Sequence, residues 1–460
     1  MVTLEMDRLS FLHNLVSFCK HLNKSLNLYL FSKLLKNSSK NESLCILESM
    51  KKLWLLIGLL LLTACSGLLS SYPGSPTPGG SVPPGDSPPP GGGTNPQAGI
   101  LTAGEIDENL NLNALQKYLE QPLNTQNQFL PSFSTKDRVS IEIRDNQGQG
   151  VANARVQVLS GNTSVFEGVA GANGVLYLYP SYDTITATQL TLQVRLPTGN
   201  DPATQSTFNL ETLPTDRRVQ VNLNATRETS PALDLMLVID ATGSMTDEMK
   251  YLSSEFQAIT QTIKNKFPTV SIRFSLIVYR DVGDEYVIRS FDFTDSVATM
   301  QSQLAAQQAD GGGDYPEAME QALQQVTQAN WRTGNTTRLV FLVADAPPHD
   351  QDLSKAINSA KTARRMGLRF YPLAASGVAE TAEYMMRSMA VTTHGRYLFL
   401  TDDSGVGNSH SEPKIPCYVT TRLDHLLTRV VASELSGARV EANQQEIIRT
   451  VGQPNAGVCN

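Results

Sequence analysis

The chain has 460 residues, 40% of them hydrophobic and 18% charged, which is room for two or three domains with proper cores and excludes a wholly disordered or collagen-like chain. Its 37 Lys and Arg stand against 44 Asp and Glu, a formal net charge of −7, and that excludes a general nucleic-acid binder, whose surface should be basic. The charge is uneven. Up to Ala64 there are 8 basic and 4 acidic residues, and from Cys65 onward 29 basic against 40 acidic, a net −11 that describes an acidic surface.

In chain order, residues 1–49 fit neither a domain nor a usual targeting segment, and Met50 is the expected true start. Met50-Lys51-Lys52 then precedes an apolar run that ends in Thr63-Ala64-Cys65-Ser66, the arrangement of a secretory signal. The apolar stretch, 53–64, is shorter than the roughly 20 residues a bilayer-spanning helix needs, so cleavage is expected over spanning. Leu62-Thr63-Ala64-Cys65 resembles the lipobox of bacterial lipoproteins. That resemblance implies a signal peptide over 50–64 and Cys65 as the lipidated first residue of the mature chain. Ser66 in the next position implies sorting to the outer membrane of a two-membrane cell envelope.

Of the five cysteines, Cys19 and Cys45 fall before the signal and Cys65 is claimed by lipid, leaving Cys417 and Cys459. In an oxidising compartment such a pair is expected to form one disulfide. Two free thiols are the alternative, since the spacing does not show whether the Cα atoms approach.

Residues 65–100 form a tether: from Ser66 to Gly99 there are 9 Pro and 9 Gly in 34 residues, which cannot bury a core and should be extended. Residues 101–130 read as a linker with one short helix, on the spacing of Leu110, Leu112, Leu115, Tyr118 and Leu119. Over 131–225 the apolar period becomes two, at Val139, Ile141 and Ile143, at Ala154, Val156 and Val158, at Leu190, Leu192 and Val194, and at Val219, Val221 and Leu223. Turns at Asp145-Asn146-Gln147-Gly148 and Gly171-Ala172-Asn173-Gly174 punctuate it. This predicts a small all-β sandwich. The run from Ile143 to Val158 and Gly174-Val175-Leu176-Tyr177-Leu178 resemble the immunoglobulin-like or carboxypeptidase-regulatory-like modules of secreted bacterial proteins, a likeness of turn and core positions that implies fold and no chemistry.

From 231 to 437 the pattern is α/β. Leu233 to Ile239 reads as a buried strand, and Met249, Leu252, Phe256, Ile259 and Ile263 make the stripe of the following helix. Further strands are expected at 271–279, 286–293, 338–344, 368–374 and 396–400, with a last helix near 421–435 and a tail over 438–460. Only Arg280 to Glu285 separates the second strand from the third, too short for a crossover, so that pair should be an antiparallel hairpin at a sheet edge. The expected architecture is a doubly wound, Rossmann-like sheet.

The first strand of this region ends in Asp240-Ala241-Thr242-Gly243-Ser244, where open α/β sheets place their ligand sites. Alternation of Asp240, Thr242 and Ser244 lets one tight loop aim three oxygens at a common point. A plain strand-to-helix turn, with Ser244 and Asp247 as a capping box, is the alternative. The stretch from Leu233 to Leu435 resembles a von Willebrand factor A domain. The metal-ion-dependent adhesion site of that family has the pattern Asp-x-Ser-x-Ser, a hydroxyl on a second loop and an Asp after the fourth strand. Asp240, Thr242 and Ser244 match the first loop with Thr in place of Ser, and Asp345 in Val343-Ala344-Asp345-Ala346-Pro347-Pro348 matches the last element. On the second loop, Asp310-Gly311-Gly312-Gly313-Asp314-Tyr315-Pro316-Glu317 offers Asp314 as the counterpart, or as a helix cap with Pro316 behind it.

The resemblance implies Mg²⁺ or Mn²⁺ held by Thr242, Ser244 and Asp314, with Asp240 and Asp345 acting through water and one position left for a partner's carboxylate. An added carboxylate at Asp314 should tighten metal binding and weaken that pull on acidic groups. Asp281, at the end of the second strand, reads either as support for the site or as a solvated hairpin charge, and His349 as a surface residue.

Catalysis is not expected. Thr242 stands where a haloacid-dehalogenase-type hydrolase needs a second Asp, the glycine run lacks the Lys and Ser or Thr of a phosphate loop, and neither Gly-x-Ser-x-Gly nor a zinc-protease helix motif occurs. The expectation is thus an exported, lipid-anchored binding or adhesion protein that meets a protein or matrix partner, and no nucleic acid, through a divalent ion. An envelope scaffold with a purely structural metal comes second, and a metal-dependent hydrolase third.

Overall fold

The computed structural model describes residues 98–121, 130, 132–199, 204–405 and 409–459. The expected signal segment, Cys65 and the tether up to residue 97 lie outside the described residues. Among the described residues no helix is long and apolar enough to cross a membrane.

The first elements are β1 (Thr102–Ile106) and α1 (Leu112–Leu119), followed by seven short strands: β2 (Val139–Arg144), β3 (Arg155–Ser160), β4 (Thr163–Val169), β5 (Val175–Leu178), β6 (Gln189–Arg195), β7 (Thr204–Asn209) and β8 (Arg218–Asn222). β2 pairs with β5 and β8 in one three-stranded sheet, and β4, β3, β6 and β7 form a second of four. Strand alternation sends Val139, Ile141 and Ile143 of β2, Val156 and Val158 of β3 and Leu190, Leu192 and Val194 of β6 into one shared apolar core.

The α/β region follows with β9 (Ala232–Asp240), α2 (Thr246–Lys266), β10 (Ser271–Tyr279), β11 (Ile288–Thr294), α3 (Val297–Ala305), α4 (Met319–Gln328), β12 (Thr336–Ala344), α5 (Leu353–Met366), β13 (Leu368–Ala374), α6 (Glu380–Thr392), β14 (Tyr397–Thr401), β15 (Tyr418–Arg422) and α7 (Leu423–Ser436). β16 (Arg449–Val451) and the small pair β17 (Pro454–Asn455) and β18 (Val458–Cys459) end it. One nine-stranded sheet has the order β11-β10-β9-β12-β13-β14-β1-β15-β16. β9, β10, β12 and β13 run parallel, while β11 turns back antiparallel on β10 at the edge, as the short connection requires. Helices cover both faces: Met249, Leu252, Phe256 and Ile259 of α2 and Leu426, Val430 and Val431 of α7 pack on Leu235, Leu237 and Ile239. On the other side Leu323 of α4, Ile357 of α5 and Met389 of α6 pack on Met236, Val238 and Val340.

Two segments do more than their composition suggested. β1, in the stretch that reads as linker, lies inside the large sheet, antiparallel to both β14 and β15. Its sequence, Thr-Ala-Gly-Glu-Ile, has little intrinsic strand preference, and pairing on both sides supplies what local propensity does not. The tail adds β16 to the sheet edge, and Cys459 is disulfide-bonded to Cys417, with Cα atoms 5.4 Å apart.

The small sheets meet the α/β region at the amino-terminal end of its strands. Arg364 near the end of α5 binds Asp183 at 2.7 Å, Arg369 at the start of β13 donates to Asn153 at 2.7 Å, and Lys361 donates to the Tyr182 carbonyl at 2.8 Å. The opposite, carboxyl-terminal end of the parallel strands is left for the loops that carry the site.

Candidate functional site

The nine residues of β9 are apolar except Asp234 near one end and Asp240 at the other. Asp240 is fully buried. Its Oδ1 accepts hydrogen bonds from the Thr242 amide at 3.0 Å and the Thr242 hydroxyl at 2.7 Å, and that hydroxyl stands 3.3 Å from the Ser244 hydroxyl. The chain then makes a 3-10 turn, Gly243–Met245, into α2 without a side-chain cap. The first loop therefore folds on its own carboxylate.

The glycine loop is tied to this turn. Gly243 donates to the Gly311 carbonyl at 3.0 Å and Asp310 to the Ala241 carbonyl at 3.0 Å. A Cβ at Gly243 would stand 2.8 Å from the Gly311 oxygen, so only glycine allows that approach. Asp284 closes the loop from the hairpin side, its Oδ2 accepting from Gly312 at 2.9 Å and Asp281 at 3.0 Å. The third loop joins where Glu317 donates its amide to the Pro347 carbonyl at 2.9 Å, and where the Tyr315 hydroxyl donates to the Asp345 carbonyl at 2.9 Å and accepts from the Ala379 amide at 2.8 Å.

Four of the five residues singled out from the sequence, Asp240, Thr242, Ser244 and Asp345, converge on this end of the sheet. Asp240 and Asp345 are close enough for the charge of Asp345 to raise the Asp240 carboxyl, although burial is the larger cause; together they push it up to about 7 against the opposing bonds from Thr242. Asp314 is exposed on the loop, within electrostatic reach of His349 at the rim. It does not cap α4, whose N-cap residue is Ala318, without a side-chain bond.

The residue that sequence reasoning passed over is Glu317, only 3% exposed, with Oε2 buried and without a hydrogen-bond partner. Burial first, then the charges of Asp240, Asp281, Asp284 and Asp345, push its carboxyl up to about 9. The available signal was a glutamate directly after Pro316 on a glycine-rich loop. Asp281 is buried and bonded at 2.8 Å to Nε2 of His349, a bond that raises the imidazole pKa and gives both residues a partner at the rim.

Buried carboxylates without opposing charge are costly, and they either keep their protons or take up a cation. Among the described residues no Lys, Arg or His forms an ion pair with Asp240 or Glu317, and the neighbouring Tyr279 hydroxyl lowers the Asp240 carboxyl by less than burial and Asp345 raise it. No three of the described His, Cys, Asp and Glu residues make a metal cluster by themselves, so any cation here would also need hydroxyl oxygens. Thr242 and Ser244 present such oxygens, and the donor set, all oxygen, suits a hard divalent ion.

Fold and loops define an open, doubly wound α/β domain with its site at the strand ends. Residues 234–407 match the family model of the von Willebrand factor A domain, and this part of the chain is a domain of that class. Among curated proteins the chain is similar to the alpha-protein kinase vwkA of Dictyostelium discoideum, 22% identical over 205 residues, or 44% of this chain and 33% of that protein. It is also similar to an ariadne-like RING finger protein, R811, of Acanthamoeba polyphaga mimivirus, 34% identical over 117 residues, or 25% of this chain and 11% of that protein. The chain thus spans a third or less of the length of these relatives. Solved structures similar to it include BatB from Bacteroides thetaiotaomicron (TM-score 0.32, 12% identity, 44% of this chain and 98% of that chain) and the SpRpn10 VWA domain (TM-score 0.26, 12% identity, 34% and 81%).

Proposed function

We propose that this chain is an exported protein, anchored through lipid on Cys65 to the cell envelope, that binds a protein or matrix partner through a divalent cation at the strand ends of its von Willebrand factor A domain. The β-rich region over 131–225 is read as an immunoglobulin-like spacer carrying that domain, and no catalytic role is assigned. Domains of this class often serve protein interaction. The single observation that carries the reading is the buried Asp240 carboxylate, bonded to Thr242 and near Ser244 and Asp345, without a cationic side chain among the described residues to offset it.

Thr242 and Ser244 would hold Mg²⁺ or Mn²⁺ directly, with Asp240 and Asp345 balancing its charge. A bound ion supplies a Lewis-acidic position for an oxygen of the partner. The chain's own part is orientation. Asp240 fixes the Thr242 hydroxyl, the Gly243–Gly311 bond holds the first two loops together, and Tyr315 fastens the Asp345 loop to Ala379.

A thermal-shift titration tests the reading. Mg²⁺ should raise Tm in proportion to the logarithm of its concentration above Kd, because the unfolded chain cannot assemble these oxygens. Asp240→Ala should abolish that rise, and retention of an envelope partner should be lost in EDTA. A metal-dependent Tm with metal-independent retention would favour the scaffold reading, in which the ion is structural only.

A further inference from the structure

We propose that Glu317, and not Asp314, supplies the second-loop oxygen for the cation, beside the hydroxyl oxygens of the first loop. The inference rests on the cation reading above and adds to it a ligand that the Asp-x-Thr-x-Ser pattern does not contain.

Position is the first argument. The Glu317 amide is held by the Pro347 carbonyl at 2.9 Å, and Glu317 pairs with Pro348 in a parallel bridge. Its backbone is therefore fastened to the loop that begins at Asp345, not left with the exposed glycines. The side chain turns inward toward the first loop. A Cβ placed on Gly312 would lie 2.8 Å from Glu317 Oε1 and 3.2 Å from Thr242 Cβ, so the carboxylate and the Thr242 side chain flank one small space that the glycine leaves open. Gly312 has φ +69° and its neighbour Gly311 φ +81°, and this left-handed pair lets the loop pass over the carboxylate without a side chain filling the gap.

The state of the neighbouring carboxylates is the second. Asp284 is occupied by two backbone amides, and Asp281 is bonded to His349. Asp240 Oδ1 is occupied by Thr242. Among the described residues Glu317 has no ion pair, and its Oε2 is buried without a donor. A buried polar group is normally satisfied, and one whose charged neighbours are carboxylates lacks what a cation would supply. Asp314, by contrast, is exposed, and ordering its side chain over a metal would cost entropy that burial has already taken from Glu317.

The test is a Mn²⁺ titration of the full chain, followed by the paramagnetic resonance signal of the free ion, with Tm in EDTA as the folding control. Glu317→Gln keeps the shape and removes the charge. It should weaken Mn²⁺ binding by ~10- to 100-fold, the range reached when groups that support metal ligands are removed. Its Tm in EDTA should equal or exceed that of the unaltered chain, since an uncompensated carboxylate has gone. Glu317→Asp, which keeps the charge and withdraws the oxygen by one methylene, should also weaken binding and so separates ligation from net charge. Asp314→Asn should stay within about twofold of the unaltered chain on the same scale. Full affinity in Glu317→Gln, or loss in Asp314→Asn with Glu317→Gln unaffected, would overturn the assignment while leaving the cation site in place. Absence of Mn²⁺ binding in the unaltered chain would instead overturn the cation reading itself, and this inference with it.

Discussion

The two ends of β9 treat the same side chain in opposite ways. Asp234 and Asp240 are both fully buried, six positions apart on one strand. At the amino-terminal end Asp234 is met by Arg273 at 2.7 Å and Arg332 at 2.6 Å; although burial works against it, those guanidinium groups hold its carboxyl below the usual range. At the carboxyl-terminal end burial, then the charge of Asp345, raises the Asp240 carboxyl to about 7 against the hydroxyls of Thr242 and Tyr279. The first arrangement satisfies itself, whereas the second leaves a buried carboxyl that keeps its proton unless a cation offsets its charge. Burial of a carboxylate therefore does not mark a site by itself; burial without an opposing charge, at the end of a parallel strand, makes it a candidate.

The largest expected effect tests the satisfied end. Asp234→Ala leaves two arginines facing a buried position without their partner and should cost on the order of 3–5 kcal/mol, read as a lowered denaturant midpoint. Asp240→Asn removes an uncompensated charge instead and should leave the metal-free chain at least as stable. If both changes destabilise equally, the contrast between the ends fails.

Acid sharpens the same contrast at β1. Glu105 is buried, which raises its carboxyl, but Arg439, Arg396 and Arg429 outweigh this and bring it from an ordinary 4.5 to about 2. A depressed folded-state pKa means stability that is present above pH 4.5 and lost as the pH falls toward 2, here up to ~3 kcal/mol. Acid titration of the unfolding free energy should show this loss, and Glu105→Gln should flatten it.

Metal gives the next effect. At a Mg²⁺ concentration a hundredfold above Kd, stabilisation should reach about 2.7 kcal/mol, and Asp240→Asn should remove it. The smallest effect is at Ser244, which is exposed and contributes nothing to the core. Ser244→Ala should leave metal-free stability within ~0.5 kcal/mol and show itself only as a smaller Mg²⁺-dependent rise in Tm.

Much of the architecture was legible because its signals are local. Period-two apolar runs mark β2, β3 and β6, and the unbroken apolar run from Leu235 to Ile239 marks a strand covered on both faces. The short link read as Arg280 to Glu285, eight residues (280–287) in the structure, leaves β10 and β11 only a hairpin. Asp240, Thr242, Ser244 and Asp345 stand at strand ends because strand length sets where those ends fall. Local chemistry determined this much of the protein.

Only the tertiary structure decided the rest, since it depends on neighbours far away in the chain. Thr102–Ile106 becomes a strand because β14 and β15, some three hundred residues later, offer it two edges. Asp234 and Asp240 look alike in the sequence, and what separates them is that Arg273 and Arg332 fold against one and not the other. On the glycine loop Asp314 and Glu317 both carry carboxylates, and only Glu317, whose amide is held by the Pro347 carbonyl, is buried. Periodicity shows which residues a strand can bury, but the partner of a buried charge comes from another element, and only packing brings it there.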